Sequence, residues 1–208
     1  MTMVTSGGRF IPMNNEMNPK NLYSPEAMFD TRNILDKYKG MSVEDINASL
    51  EHSPLVACLS NELRDFNWGT VVRNANAFGL SEVAFCGRRR WDRRGAVGAQ
   101  NYTNITHYPT EIDMFDLFRE KGYEIIAAEY DENYTMHNLY EHTWNPKSLV
   151  VFGEEGRSLP AEVLDQCDKI VAIPMMGCVR SLNVGVTSGI FFSHYNEQCW
   201  PHDNPMDS

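Results

Sequence analysis

Short apolar runs alternate with amphipathic stretches along most of this chain, and the alternation predicts an α/β fold. Leu55–Leu59, Glu82–Cys86, Tyr123–Ala128, Ser148–Phe152 and Lys169–Ile173 read as short buried strands bounded by turn signals. Helical spacing separates them. Over Thr70–Phe78, Val71, Val72, Ala75 and Phe78 share one face, while Arg73 and Asn76 fall on the other and point away from the core. Glu111–Glu120 places Ile112, Phe115 and Phe118 at helical spacing. A further helix is expected after Ser158, capped by that serine with Pro160 in its first turn, and a largely apolar helix from Val184 to about Glu197 closes the pattern. Strands interleaved with helices imply a mainly parallel sheet with helices on both faces.

Before residue 54 the signals are helical. Ser24-Pro25-Glu26 combines a capping residue, a first-turn proline and an acid, which predicts a helix running to about Lys39 and ending at Gly40. Ser42-Val43-Glu44-Asp45 is a capping-box pattern for a second short helix. The expected organisation is a flexible tail over residues 1–20, an N-terminal helical extension over 21–53, one α/β domain over 54–198 and a C-terminal tail over 199–208. The chain shows no internal repeat.

Composition narrows the function classes. With 42% apolar residues in 208 the chain can bury a real core. It contains no run long enough to span a bilayer, and its N-terminus lacks an apolar signal region. Its five cysteines are scattered without a C-x-x-C pair, so neither a metal cluster nor a disulfide framework is expected, and a reducing cytoplasm is the default compartment. A net charge of −10 argues at first against nucleic acid. Yet Arg88, Arg89, Arg90, Arg93 and Arg94 with Asp92 make a local +4, leaving −14 elsewhere. The positive charge is concentrated, and a phosphate-bearing partner would be gripped at this strip, with Trp91 as a stacking plane for a base.

Three distant stretches carry the candidate chemistry. They are Asn67 to Ala75, Val151 to Leu159, and Ile173-Pro174-Met175 running through Gly177 to Ser181-Leu182-Asn183-Val184. The last two share a grammar of apolar run, Gly- or Pro-bearing turn and helix start. An open α/β sheet holds ligands at such turns, outside the carboxyl ends of its strands.

At these motifs the chain resembles the SPOUT (α/β-knot) superfamily, in particular its tRNA/rRNA 2′-O-ribose methyltransferases. The likeness covers about residues 54–198. The first motif stands as Asn67, Gly69-Thr70-Val71-Val72 and Arg73, and the third as Ile173-Pro174-Met175, Gly177 and Ser181-Leu182-Asn183-Val184. The second, usually Phe-Gly-Asn-Glu-Gly-x-Gly, reads Phe152-Gly153-Glu154-Glu155-Gly156-Arg157-Ser158, with Glu154 in place of Asn and Ser158 in place of Gly. The resemblance implies a C-terminal trefoil knot, a homodimer, S-adenosylmethionine as methyl donor, and a ribose 2′-hydroxyl of tRNA or rRNA as acceptor.

It also assigns residues. Gly153, Gly177, Ile173, Met175 and Leu182 are the expected cofactor contacts, the glycines through their backbone and the apolar side chains by sandwiching adenine. The family's catalytic Arg maps onto Arg73. Guanidinium is a poor base, so the expected role is to clamp phosphate and stabilise the alkoxide developing at the 2′-oxygen. Glu155 is expected either to orient Arg73 or Asn67 or to cap a helix. Asn67, Ser181 and Asn183 are expected to bond the nucleotide or to satisfy their own loops.

Two other readings stand beside this one. A non-catalytic RNA-binding scaffold on the same fold would have no reason to keep Asn67, Arg73 and Asn183 together. A nucleotide-dependent oxidoreductase is discounted because no G-x-G-x-x-G follows any predicted strand. A helper protein that delivers the RNA fits the total negative charge.

Overall fold

The computed structural model describes residues 29–63 and 65–200, which fall into two compact units divided between Ile46 and Asn47. The expected tail over 1–20 and the Ser24 helix start lie outside the described residues. In the first unit, Asp30 gathers the chain. Its carboxylate accepts from the backbone N–H groups of Arg32 at 3.0 Å and Gly40 at 3.1 Å, and pairs with the Arg32 guanidinium at 2.5 Å. A short acid that bonds nearby backbone competes with helix. The expected helix to Lys39 is accordingly absent from residues 29–39, where only a 3-10 turn forms at Asp36–Tyr38. The second expected helix is present as α1 (Val43–Ser49), with Ser42 Oγ accepting from Asp45 N at 3.0 Å and donating to its carboxylate at 2.8 Å.

The second unit is a seven-stranded, wholly parallel sheet of β1 (Ser53–Asn61), β2 (Leu80–Gly87), β3 (Ile105–Tyr108), β4 (Glu124–Ala128), β5 (Met136–Asn138), β6 (Ser148–Phe152) and β7 (Lys169–Ala172). The spatial order is β3-β2-β1-β6-β4-β7-β5. The strands that the sequence predicts all form. The two it does not, β3 and β5, are the edges, half-buried or exposed along their length and so without an apolar run.

Helices cover both faces, as expected. The helices are α2 (Trp68–Ala77), α3 (Glu111–Glu120), α4 (Ala161–Leu164) and α5 (Val184–Cys199). Strand side chains alternate between faces. Leu55, Ala57, Leu59, Phe85 and Phe152 pack with Val71, Val72, Phe191 and Tyr195 of α2 and α5 on one face. Val56, Cys58, Cys86 and Val151 pack with Phe115 and Phe118 of α3 and Val163 of α4 on the other. Among the described residues no helix is long and apolar enough to cross a membrane.

Two helix details differ from expectation. Pro160, not Ser158, takes the cap position of α4, and Ser158 is exposed and makes no capping bond. The residue before a proline is steered away from helical backbone, so Leu159 cannot open a helix behind a Ser158 cap, and Pro160 is itself extended (ψ 145°), which leaves Ala161 as the first helical residue. Asn76 does not point freely to solvent. It is half-buried and donates to Tyr102 O at 2.8 Å, because the chain after β2 folds back over that side of α2.

That returning chain presses hard on α2. A Cβ at Gly69 would lie 2.7 Å from the backbone nitrogens of Gly95 and Ala96, a distance that side chains do not tolerate. On its other side α2 meets α5, where Asn74 Nδ2 donates to Gly185 O at 2.7 Å and to Ser188 Oγ at 3.0 Å.

Candidate active site

The carboxyl ends of β1, β4, β6 and β7 open on one edge of the sheet, and three segments that follow them meet there. Asn67 begins α2, Glu155 sits in the turn after β6, and Asn183 caps α5. Asn183 Oδ1 accepts from Gly185 N at 2.9 Å and from Val186 N at 3.3 Å, which satisfies the start of the last helix. Its amide nitrogen is then free to reach sideways, donating to Asn67 Oδ1 at 3.0 Å and to Glu155 Oε2 at 2.7 Å. Asn67 Nδ2 donates to the same Glu155 oxygen and to Asp65 Oδ1, the latter at 2.8 Å. Asp65 completes the ring by accepting from the backbone N–H groups of Asn67 at 2.8 Å and Glu155 at 2.7 Å.

Each amide in this ring uses both donors and its acceptor, so both are fixed in orientation. Glu155 Oε2 is saturated by two amides, whereas Oε1 accepts no hydrogen bond among the described residues, and the residue as a whole is exposed. Of the two readings left open for Asn183, the cap is formed, and the same side chain also ties Asn67 to Glu155. Glu155 orients Asn67 and Asn183 and does not cap α4. It also makes no bond to Arg73, which is exposed on α2 and pairs with no carboxylate among the described residues.

Beside the ring lies a cleft of about 350 Å³, in the size range of small-molecule sites. Gly153, Glu155, Ile173, Met175, Ser181 and Leu182 line it. Buried Phe152, Val184 and Phe191 give it apolar lining, and Glu129, buried Glu154, and the exposed Arg157 and Arg180 give it charged lining. This combination suits a flat neutral ring on the apolar wall with a cationic end toward carboxylates. Gly153 must be small because its turn closes tightly, a Cβ there falling 3.1 Å from Arg157 O. Gly177 departs from expectation: it is exposed, does not line the cleft, and its missing Cβ faces open space. Asn67, Asn183 and Arg73 do not line the cleft.

The site has members that the sequence reading missed. Asp65 is the hinge of the ring, and its signal was an Asp two residues before an Asn, the pattern of an Asx turn. Glu154, read as a departure from the motif, is buried and accepts from Leu63 N at 2.5 Å, tying the loop after β1 to the turn after β6. Glu129 follows β4 and accepts from Leu159 N at 3.0 Å, which holds the cleft's far wall.

The arginine strip occupies the loop after β2. Arg88, Arg89, Arg90 and Arg93 are exposed, and Leu63, Arg89, Arg90, Trp91 and Arg93 surround a second, shallow recess. Buried Asn61 at the end of β1 fastens this loop, donating to Arg88 O at 2.6 Å and Arg90 O at 3.1 Å while accepting from Trp68 Nε1 at 3.1 Å. Arg94, though exposed, already pairs with Asp92 at 2.5 Å, and its guanidinium pulls the Asp92 pKa down to about 2, so an incoming phosphate competes with that carboxylate for it. Trp91 is a correction too. Its ring stacks on Phe85 at 4.9 Å and the Arg93 guanidinium lies 5.7 Å over it, so it anchors the loop to the core instead of offering an open plane.

Comparisons with known proteins agree with this fold. The tRNA (guanosine(18)-2′-O)-methyltransferase of Escherichia coli K12 is 25% identical over 147 residues, 69% of this chain and 63% of that enzyme, so the chain spans less than two thirds of its relative. The fold matches the A. aeolicus TrmH/SpoU tRNA modifying enzyme with a TM-score of 0.66 at 22% identity, covering 75% of this chain and 81% of that one. It also matches the SpoU methyltransferase AviRb from Streptomyces viridochromogenes in complex with AdoMet, at a TM-score of 0.63, 17% identity, and 76% and 64% coverage. The model of the SpoU rRNA methylase family spans residues 54–193, taking in the ring, the cleft and the arginine strip, and the chain belongs to that family.

Proposed function

We propose that the chain is an S-adenosylmethionine-dependent RNA methyltransferase acting on a ribose 2′-hydroxyl of tRNA or rRNA. The observation that carries this reading is the ring of Asp65, Asn67, Glu155 and Asn183, which joins three sequence-distant motifs beside a cleft of cofactor size. Supporting it are the family membership and the AdoMet complex of a protein with the same fold.

When bound, the cofactor supplies a methyl group on a sulfonium, and the protein's task is chiefly to aim the two reactants. Ile173, Met175 and Leu182 hold the adenosine against the apolar wall, and Gly153 offers backbone. Glu129 and Glu154 favour the cationic end. Glu155 Oε1, its partner oxygen immobilised by two amides, is the acceptor placed to take the hydrogen bond of the ribose hydroxyl. Arg73, which pairs with no carboxylate among the described residues, stabilises the oxygen as negative charge develops. Ser181 at the cleft mouth orients the nucleotide.

Arg88, Arg89, Arg90 and Arg93 supply the phosphate grip, without Arg94. The reading also includes a trefoil knot, a homodimer, a helper protein for RNA delivery and a cytoplasmic location. Knot and dimer rest on the family resemblance, and the exposed Val186 on α5 gives the dimer an apolar contact. The 54–198 domain limits and the flanking tails remain part of the same proposal. The scaffold alternative has no use for a saturated amide ring beside an open cleft. Calorimetry with S-adenosylmethionine, followed by mapping of 2′-O-methylated positions in cellular RNA with and without the protein, tests the reading. Stoichiometric binding and a lost methyl mark are expected; absence of cofactor binding returns the scaffold.

A further inference from the structure

The loop between β1 and α2 separates the two recesses, and it carries an aromatic side chain that the fold does not use. Phe66 is 64% exposed and Leu63, three residues earlier, 63% exposed. Exposure of this kind in a mobile loop would mean little. Here the loop is held at both ends. Leu63 N donates to buried Glu154 at 2.5 Å, so the backbone is fixed to the cleft side, while the Leu63 side chain lines the arginine recess. Asp65 and Asn67 flank Phe66, and both are locked in the polar ring. Phe66 is therefore presented at a set position, one residue from Asn67, which bonds Glu155, and three from Leu63, which lines the arginine recess.

We propose that Phe66 is the platform on which the base of the target nucleotide stacks, so that its ribose reaches Glu155. The inference rests on the methyltransferase reading above and adds a substrate-positioning residue to it. A 2′-hydroxyl can approach a cleft beside the sheet only if its nucleotide leaves the neighbouring stack, and a single-stranded base released in this way needs a new apolar face. A phenyl ring offers one to any base, and stacks of this type are lost measurably on alanine substitution. The partner is a single-stranded or looped RNA segment, because the exposed Arg88, Arg89, Arg90 and Arg93 that follow β2 offer its phosphates their contacts.

The test measures methyl transfer from S-adenosylmethionine to total tRNA and rRNA by wild-type protein and by Phe66→Ala, Phe66→Leu and Phe66→Trp, with cofactor affinity measured in parallel. Expected are a rise in the RNA KM of about tenfold for Phe66→Ala, no rescue by the equally apolar Phe66→Leu, near wild-type behaviour for Phe66→Trp, and unchanged cofactor binding in all three. Phe66→Ala within twofold of wild type, full rescue by leucine, or a matching loss of cofactor affinity overturns the stacking role while leaving the enzyme reading intact. Failure of the wild-type protein to methylate any RNA overturns that reading, and this proposal with it.

Discussion

The amide of Asn183 donates to Oδ1 of Asn67 at 3.0 Å across 116 residues of sequence. Neither side chain can turn without breaking further bonds, because Asn183 also caps α5 and Asn67 also reaches Asp65 and Glu155. This edge of the sheet is thereby coupled to the packing of α2 and α5.

Glu155→Gln separates orientation from chemistry. A glutamine can keep its single oxygen toward the amides of Asn67 and Asn183, and then presents NH₂ where Glu155 presents an open acceptor. The ring and cofactor affinity should survive, while kcat falls by about a hundredfold, the lower range for a positioned proton acceptor. Steady-state kinetics with a thermal melt as control decides it, and an unchanged kcat would leave Glu155 an orienting role only.

Arg73→Ala should retain S-adenosylmethionine affinity and lose methyl transfer, since the residue does not line the cleft. Arg73→Lys should recover little, because a point charge replaces a planar fork. Equal loss of binding and transfer would refute the assignment.

Replacing Arg89, Arg90 and Arg93 together with alanine should weaken RNA binding and flatten its salt dependence. Three lost phosphate contacts to single-stranded RNA correspond to a change of roughly 2 in the slope of log affinity against log salt. Arg94→Ala should change that slope little, its guanidinium being committed to Asp92. Titrations at several salt concentrations distinguish the two variants.

Gly69→Ala should destabilise the fold by about 1–3 kcal/mol, the usual cost of overpacking, because the new methyl meets backbone and not a movable side chain. Urea unfolding measures it. A neutral result would mean that the chain at Gly95 can retreat from α2.

His142 predicts a pH dependence. Burial, with the positive charge of Lys169 second, pushes its pKa down to about 4 from an ordinary 6.5. The unfolded chain therefore binds the proton first as pH falls. Stability is complete above about 6.5 and declines between 6.5 and 4 at up to roughly 1.4 kcal/mol per pH unit. His142→Phe should flatten that decline in melts taken across this window.

The alternation of apolar runs identified the five inner strands and the helices at Trp68–Ala77, Glu111–Glu120 and Val184–Cys199, because burial on both faces leaves an unmistakable pattern. Edge strands β3 and β5 escaped because half their surface is wet. Motif reading reached Asn67, Glu155 and Asn183, yet not their mutual bonds, which depend on how far α5 returns toward α2. Asp65 was missed because an acid in a loop has no period to betray it. Trp91 misled for a related reason: among arginines it looks like a base-stacking ring, and only the register of β2 reveals Phe85 beneath it.

Asn61 has a bearing on how such a protein can change. Its one amide group supports two carbonyls of the arginine loop and the indole of Trp68 at once. Lengthening or shortening the loop would leave the buried amide donors of Asn61 without their carbonyls, so altered target choice is cheapest through exchange of the outward side chains at 88–90 and 93. The same anchor that steadies the grip confines its evolution to substitutions.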